Sequence, residues 1–279
     1  MTRANALISF EYFPPKTPAG REKLLHETTP ALQAVGPAFF SVTYGAGGST
    51  RDNTAGTVLE LKARGVDVAP HLSFGQDDEA AVAELLDSYV AMGINRLVAL
   101  RGDLPSGTGG GARLVYANEL VHFVRAHSGD HFTIEVAAYP EVHPQAESYD
   151  SDLRFLKGKF DAGADSAITQ YFFNADAYFY FLERCAAIGI DKPIFPGIMP
   201  ITNYANLARF SRNCGAEIPR WICRRLEDFA DDQASIRAFG AEVVTQLCEQ
   251  LLDGGAPGLH FYTMNQAEPT LKICRDLGY

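Results

Sequence analysis

A carboxylate among aromatic residues is the first feature of this chain with chemical potential. Glu11 stands in the run Phe10-Glu11-Tyr12-Phe13-Pro14-Pro15. Aromatic surroundings desolvate a carboxyl group, disfavour its charged form and raise its pKa. Such a group can act as a general acid near neutral pH, with a structural strand residue as the competing reading. Polar groups recur in comparable settings further along: His71 in A-P-H-L-S, Arg101 and Asp103 around Gly102 in L-R-G-D-L-P, and Tyr139 and His143 in A-A-Y-P-E-V-H-P. Gln170 follows in I-T-Q-Y-F-F, and Asn265 and Gln266 in H-F-Y-T-M-N-Q-A. Gly45, Gly47 and Gly48 let backbone amides approach a ligand, and Ser49 or Thr50 can cap the next helix. Polar tips surrounded by aromatic rings suit a large, flat, heteroaromatic ligand.

Several chemistries are disfavoured. The glycine cluster is no P-loop, because no G-K-[ST] follows it. Gly107, Gly109 and Ala112 match G-x-G-x-x-A, but no strand leads directly into them, so the stretch reads as a loop. A class I aldolase needs a lysine on a barrel strand, and the expected strands contain none. The seven histidines are scattered and offer no metal-ligand cluster. Five cysteines without a C-x-x-C pair read as small hydrophobes. With 24 Lys+Arg against 34 Asp+Glu, the net charge of −10 gives no basic footprint for nucleic acid. The longest uncharged run, residues 28–50, is broken by two prolines and four glycines, so no membrane span is expected. The N-terminal apolar stretch is too short for a signal peptide, and a cytoplasmic setting is expected.

The elements that must position these residues alternate along the whole chain. Strands are expected at Ile8–Phe13, Phe39–Tyr44, Val66–Ser73, Arg96–Gly102, Phe132–Ala138, Ser166–Phe172, Pro193–Met199 and Gly258–Thr263. Several are continuous apolar runs, as in a parallel sheet covered on both faces. Helical patterns fill the gaps: Pro18–Ala34, Arg51–Arg64, Asp77–Met92, Tyr116–Ala126, Asp150–Asp161 and Ala175–Ile188. Tyr204–Cys214, Pro219–Phe229, Gln233–Leu252 and Gln266–Leu277 complete the set. Eight strand-and-helix units in 279 residues predict an α/β fold, a single-domain (β/α)8 TIM barrel over residues 1–279, against a doubly wound open sheet. In a barrel the C-terminal strand ends carry the chemistry, and the polar residues above fall there.

The motifs F-E-Y-F-P-P-K, S-V-T-Y-G-A-G-G-S-T-R-D, L-R-G-D-L-P, A-A-Y-P-E-V-H-P, I-T-Q-Y-F-F, P-G-I-M-P-I and H-F-Y-T-M-N, in this order, resemble the methylenetetrahydrofolate reductases in their short bacterial form. The resemblance implies a barrel holding non-covalent FAD. Such a barrel reduces 5,10-methylenetetrahydrofolate to 5-methyltetrahydrofolate with electrons from NAD(P)H, in ping-pong fashion. It implies Glu11 as the acid that protonates N10 and opens the methylene bridge. Asp103 would tune the flavin and stabilise the cationic folate. Thr43, His71, Arg101, Gly102, Asp103, Tyr116, Ala117, Tyr139, His143, Asp152 and Lys159 match FAD-binding positions, with Arg101 and Lys159 facing the diphosphate. Gln170 matches a pterin-binding glutamine and Phe210 a stacking aromatic. Asn206 replaces a frequent glutamine. A homo-oligomer is expected.

Two departures stand out. Phe155 and Gly158 occupy a stretch that is often polar or basic in the family. Gln266 stands where an arginine usually follows H-F-Y-T-M-N, which weakens contact with an anionic partner. A second reading therefore runs the folate chemistry as methyltetrahydrofolate oxidation, with another redox partner and weak NAD(P)H use. A non-catalytic flavin- or folate-binding barrel and a flavin-free pterin transferase are more distant alternatives.

Overall fold

Runs rich in Val, Ile, Phe and Tyr form the strands, since branched and aromatic side chains pack well on a pleated surface. The computed structural model describes residues 6–44, 49–74, 79–101 and 116–279. Its strands are β1 (Leu7–Tyr12), β2 (Phe39–Val42), β3 (Val68–Leu72), β4 (Arg96–Ala99) and β5 (Thr133–Ala138). They continue with β6 (Ser166–Thr169), β7 (Ile194–Phe195), β8 (Gly197–Ile198) and β9 (Gly258–Tyr262). Adjacent strands pair in parallel, in the order β7-β6-β5-β4-β3-β2-β1-β9-β8. The seventh expected strand is divided at Pro196, which has no N–H for a ladder. Its first piece pairs with β6 and its second with β9. Because β7 and β8 are consecutive pieces of one extended stretch, the ends of the sheet meet and the barrel closes.

The helices are α1 (Pro18–Lys23), α2 (Thr29–Gln33), α3 (Ser49–Ala63), α4 (Glu79–Ala91), α5 (Ala117–Ser128) and α6 (Tyr149–Asp161). They continue with α7 (Ala175–Ala187), α8 (Tyr204–Cys214), α9 (Arg220–Asp228), α10 (Gln233–Asp253) and α11 (Ala267–Asp276). The single helix expected over residues 18–34 carries a π turn at Leu24–Thr28, between α1 and α2. Pro30 has no N–H for the carbonyl four residues back, and the Thr29 N–H reaches Leu24 O instead. Elsewhere the expected elements differ by a few residues at their ends. Asp77 and Asp78, the three glycines after β2 and the Gly107–Ala112 stretch lie outside the described residues.

Alternation along the strands separates two cores. Ile8, Phe10, Tyr12, Phe40, Val42 and Leu72 join the large cluster beneath the helices. Phe39, Ala69, Val98 and Ile168 form a second cluster, with Phe195 and Tyr262 beside it, and this fills the barrel. The N-terminal end of the barrel is plugged. Arg96, the first residue of β4, lies 4.5 Å over the Phe39 ring and is ion-paired to fully buried Glu135, which also accepts from Ser166. Space for a ligand is therefore left to the opposite, C-terminal end. Cys185, Cys248 and Cys274 are buried free thiols, and burial pushes Cys185 and Cys274 up to about 12, so they stay protonated as core hydrophobes. No helix among the described residues is long and apolar enough to cross a membrane.

Candidate active site

Successive residues of β1 point to opposite faces, and this decides the setting of Glu11. Phe10 and Tyr12 face the helices: Phe10 packs 5.5 Å from Phe40 and 6.0 Å from Phe261, and Tyr12 stacks on Phe40 at 5.3 Å. Glu11 and Ser9 face the barrel interior instead. The aromatic neighbours that the sequence offers Glu11 are thus on the far side of its own strand. Its actual neighbours come from β2, β3 and β9. Glu11 Oε2 lies 3.3 Å from His71 Nε2, and His260 Nε2 and Ser41 Oγ each donate to it across 3.5 Å.

The expected raised pKa of Glu11 is therefore overturned. Burial pushes the carboxyl up, but the charge of His71 and the hydrogen bonds and charge of His260 and His71 outweigh it and hold Glu11 at about 2. At neutral pH the group is a carboxylate between two imidazoles. Ser9 lies behind His260, with Ser9 Oγ 2.7 Å from His260 Nδ1. The parallel register that pairs Ser9 with His260, and Glu11 with Tyr262, brings these side chains together.

A cavity of about 780 Å3 opens at the ends of β4 and β5. Arg101, Tyr116, Ala117, Tyr139, His143, Asp152 and Lys159 all line it. Helix α6 supplies Asp152 and Lys159, and its capping Ser148 accepts from the Ser151 N–H. Asp152 Oδ2 accepts from the His143 N–H at 2.8 Å, tying the loop after β5 to that helix. Val142, beside His143, is held at φ 73°, a strained conformation for a branched residue. The His143 ring packs edge-on against Tyr139 at 4.6 Å, and burial lowers its pKa. Lys159 is part-exposed, but its ammonium is enclosed; burial lowers it to about 8, against the attraction of Asp152. The ammonium donates to Ala137 O at 2.7 Å. Arg101 donates to Gln145. Two cations at one end of a partly aromatic cavity suit a phosphorylated heteroaromatic ligand.

Other expected site residues are spread more widely. Thr43 donates its N–H to Tyr12 O and receives the Thr54 hydroxyl on its carbonyl. Neither Thr43 nor His71 lines the larger cavity, though Tyr44 and Ser73 do. Gln170 directly follows β6 and folds its side chain onto the Tyr171 N–H at 3.0 Å. Asn206 and half-buried Phe210 lie on α8, bridged by Arg209, which donates to Asn206 and stands 5.2 Å over the Phe210 ring. Gln266 is exposed and lines a separate cavity of about 470 Å3, with Lys23, Arg237 and Lys272. Gly102 and Asp103 lie outside the described residues.

Sequence reasoning missed Ser41 and His260 as neighbours of Glu11, and Ser9 as the partner of His260. Ser9 shares the inward phase of Glu11 on β1, whereas Ser41 and His260 become readable only once the register with β2 and β9 is known. Arg154 and Phe155 were also not assigned to a site, yet both line the larger cavity, with Phe155 61 % exposed at its edge.

Fold and cavity mark the class: (β/α)8 barrels that take ligands at the C-terminal ends of their strands. A family model described as methylenetetrahydrofolate reductase matches residues 1–278. The chain is 40 % identical over 272 residues to the 5,10-methylenetetrahydrofolate reductase of Pectobacterium carotovorum, covering 97 % of this chain and 90 % of that one. It is 39 % identical to the Escherichia coli enzyme of the same name, with the same coverage. Against methylenetetrahydrofolate reductase (NADH) 1 of Arabidopsis thaliana it is 39 % identical, over 97 % of this chain and 48 % of the plant protein. Among solved structures, a Clostridium thermocellum protein described as binding two copies of 5-methyl-5,6,7,8-tetrahydrofolic acid superposes with a TM-score of 0.68. It is 17 % identical, over 98 % of this chain and 94 % of that one, a likeness of fold. The chain belongs to the methylenetetrahydrofolate reductase family, and is an oxidoreductase of folate one-carbon chemistry.

Proposed function

We propose that the cavity at the ends of β4 and β5 holds FAD, and that Glu11 is the acid for the folate. The observation that carries this reading is the meeting, in one cavity, of seven residues that the family resemblance assigns to FAD: Arg101, Tyr116, Ala117, Tyr139, His143, Asp152 and Lys159. The chemistry of the donors fits the group. Arg101 and Lys159 would take the diphosphate, and the enclosed Lys159 ammonium gains most from an anion because its own charge is poorly solvated. When bound, FAD supplies hydride transfer between NAD(P)H and the folate. Gln170, Asn206, Phe210 and Gln266 would position the folate, and Asp103 would act beside Glu11.

Glu11 would move the proton. Protonation at N10 lets the methylene bridge open to an iminium that accepts hydride. Because Glu11 rests as a carboxylate, it must receive that proton before it can give it. The same reading takes the chain as a cytoplasmic, homo-oligomeric, single-domain enzyme in which donor and folate alternate.

Anaerobic half-reactions with NADH, NADPH and methyltetrahydrofolate as separate reductants test the reading. The purified protein should be yellow, release FAD on denaturation and bleach with methyltetrahydrofolate. A colourless protein that binds no FAD would overturn it. The second reading, methyltetrahydrofolate oxidation with another acceptor, is favoured by Gln266 in place of the family's arginine. Slow bleaching by both nicotinamides, with normal bleaching by methyltetrahydrofolate, would select it.

A further inference from the structure

We propose that the cavity of about 470 Å3 beside Gln266 takes the γ-glutamyl tail of the folate, with Lys23 and Arg237 as the cations that hold its carboxylates. The inference rests on the folate reading set out above and extends it beyond the ring system. A folate ends in a glutamate, and each further glutamate joined through the γ-carboxyl adds one net negative charge. Charges of that kind are costly to bury, so this end of the molecule must leave the barrel at its mouth.

Two walls of the cavity come from segments that leave the mouth beside the residues assigned to the folate. Pro200, Ile201 and Thr202 follow β8 and lead directly into α8, which carries Asn206 and Phe210. Asn265 and Gln266 follow β9, and this turn is fastened to β1 around Glu11. The Thr263 hydroxyl donates to Glu11 O at 2.6 Å, and the Asn265 side chain holds both backbone groups of Phe13. The far wall is α10, pressed so closely on the first that a Cβ on Gly240 would lie 2.4 Å from Ile201 O. The cavity is therefore built into the packing of the barrel.

Its lining matches the chemistry of such a tail. Ile201, Ala238, Ala241 and Ile273 make an apolar floor. The charged residues are Lys23, Arg237 and Lys272 against Glu27 and Glu268. Lys272 is paired with Asp276 and Glu268 with Arg275, each at 2.5 Å. Lys23 and Arg237 have no ion pair among the described residues. In a chain of net charge −10 the cavity thus keeps two open cations against one open carboxylate, Glu27. Lys23 and Glu27 stand at the π turn, a local widening of the kind that recurs at functional sites. A γ-glutamyl chain alternates methylene pairs with carboxylates, so it can cover the floor and reach both cations. A compact phosphate would meet the cations and leave the floor bare.

Anaerobic bleaching of the FAD-loaded enzyme by methyltetrahydrofolate, followed over a range of concentrations, gives a half-saturation concentration and a limiting rate. The triglutamate form should half-saturate about tenfold lower than the monoglutamate, at the same limiting rate, as two charge-assisted contacts at an exposed rim would give. Lys23→Gln combined with Arg237→Gln should erase that gain and leave the monoglutamate within about twofold. Glu27→Gln removes a repelling charge and should tighten the triglutamate about twofold further, an opposite change that damage to the fold would not produce. High salt should shrink the gain. The proposal fails if tail length does not matter, or if the double variant weakens both forms equally. It also fails if free tri-γ-glutamate alters the limiting rate with the monoglutamate, which would mark a regulatory site for free carboxylates. If neither form bleaches the flavin, the folate reading falls and this inference with it; if both do so alike, only the tail site falls.

Discussion

Residue-scale chemistry here is set by which way a side chain faces. Glu11 is flanked in sequence by Phe10 and Tyr12, and in space by His71, His260 and Ser41. That exchange of neighbours reverses its acidity. A carboxyl held at about 2 in the folded chain, against an ordinary 4.5, contributes stability that is present above pH 4.5 and lost as pH falls through 2. Linkage sets the loss at up to about 3 kcal/mol. Glu11→Gln removes the titration, so acid unfolding of the variant between about pH 5 and 2 should be shallower than that of the native chain. Circular dichroism across that range is the measurement, and identical curves would contradict the pairing. Lys159 yields a second prediction. Its ammonium, lowered to about 8 by burial, must be charged to hold a phosphate. Affinity for ADP, as a fragment of FAD, should fall about tenfold per pH unit above 8, and Lys159→Met should flatten that dependence. Equilibrium titration from pH 7 to 10 checks both curves. The Gln266 substitution also reads differently at this scale, since Lys23, Arg237 and Lys272 line the cavity where Gln266 sits.

The elements hold these side chains through a few close contacts. Asn265, at φ 57°, reaches back to β1, accepting from the Phe13 N–H at 2.9 Å and donating to Phe13 O at 2.8 Å. This ties the end of β1, two residues beyond Glu11, to the turn before α11. On the other side of β9, Gly197 starts β8 where neighbouring strands nearly touch. A Cβ there would lie 2.1 Å from Thr169 O and 2.6 Å from the Tyr262 ring, whose hydroxyl donates to the same carbonyl at 2.6 Å. Gly197→Ala must push β6, β8 and β9 apart at the barrel seam. It should cost about 3 kcal/mol or more and lower Tm by several degrees, the upper range for overpacking. A thermal melt of the variant is the check, and a native Tm would show that the seam is loose. The sequence placed these elements well because apolar runs and glycine punctuation are local signals. It did not show the π turn before α2 or the division of the seventh strand at Pro196, where a proline had to be reconciled with helix and sheet partners.

For the whole molecule, closure of the barrel makes one cavity depend on several units at once. Residues from the ends of β4 and β5 and from α5 and α6 line it. A ligand that binds only the folded form stabilises it by RT ln(1 + [L]/Kd), about 2.7 kcal/mol at 100 times Kd. Adding FAD to flavin-depleted protein should therefore raise the melting temperature of the entire barrel, not of a fragment. Differential scanning calorimetry with and without FAD measures this, and an unmoved transition would argue against FAD in this cavity. The charge of −10 acts on the same scale. It disfavours anionic ligands at long range, so the cations that line the cavity, Arg101 and Lys159, must act locally.

By itself the sequence determined the alternating elements, the barrel class and the polar residues at the strand ends, because each follows from local pattern and from the chain order of the motifs. It also named seven residues that meet in one cavity. Only the tertiary structure decided what each of them faces. Register and closure are long-range properties: they set Ser9 beside His260 and His260 on Glu11, across about 250 residues of chain. A carboxylate's acidity depends on the sum of burial and nearby charge, and in this barrel nearly all of that charge comes from other strands.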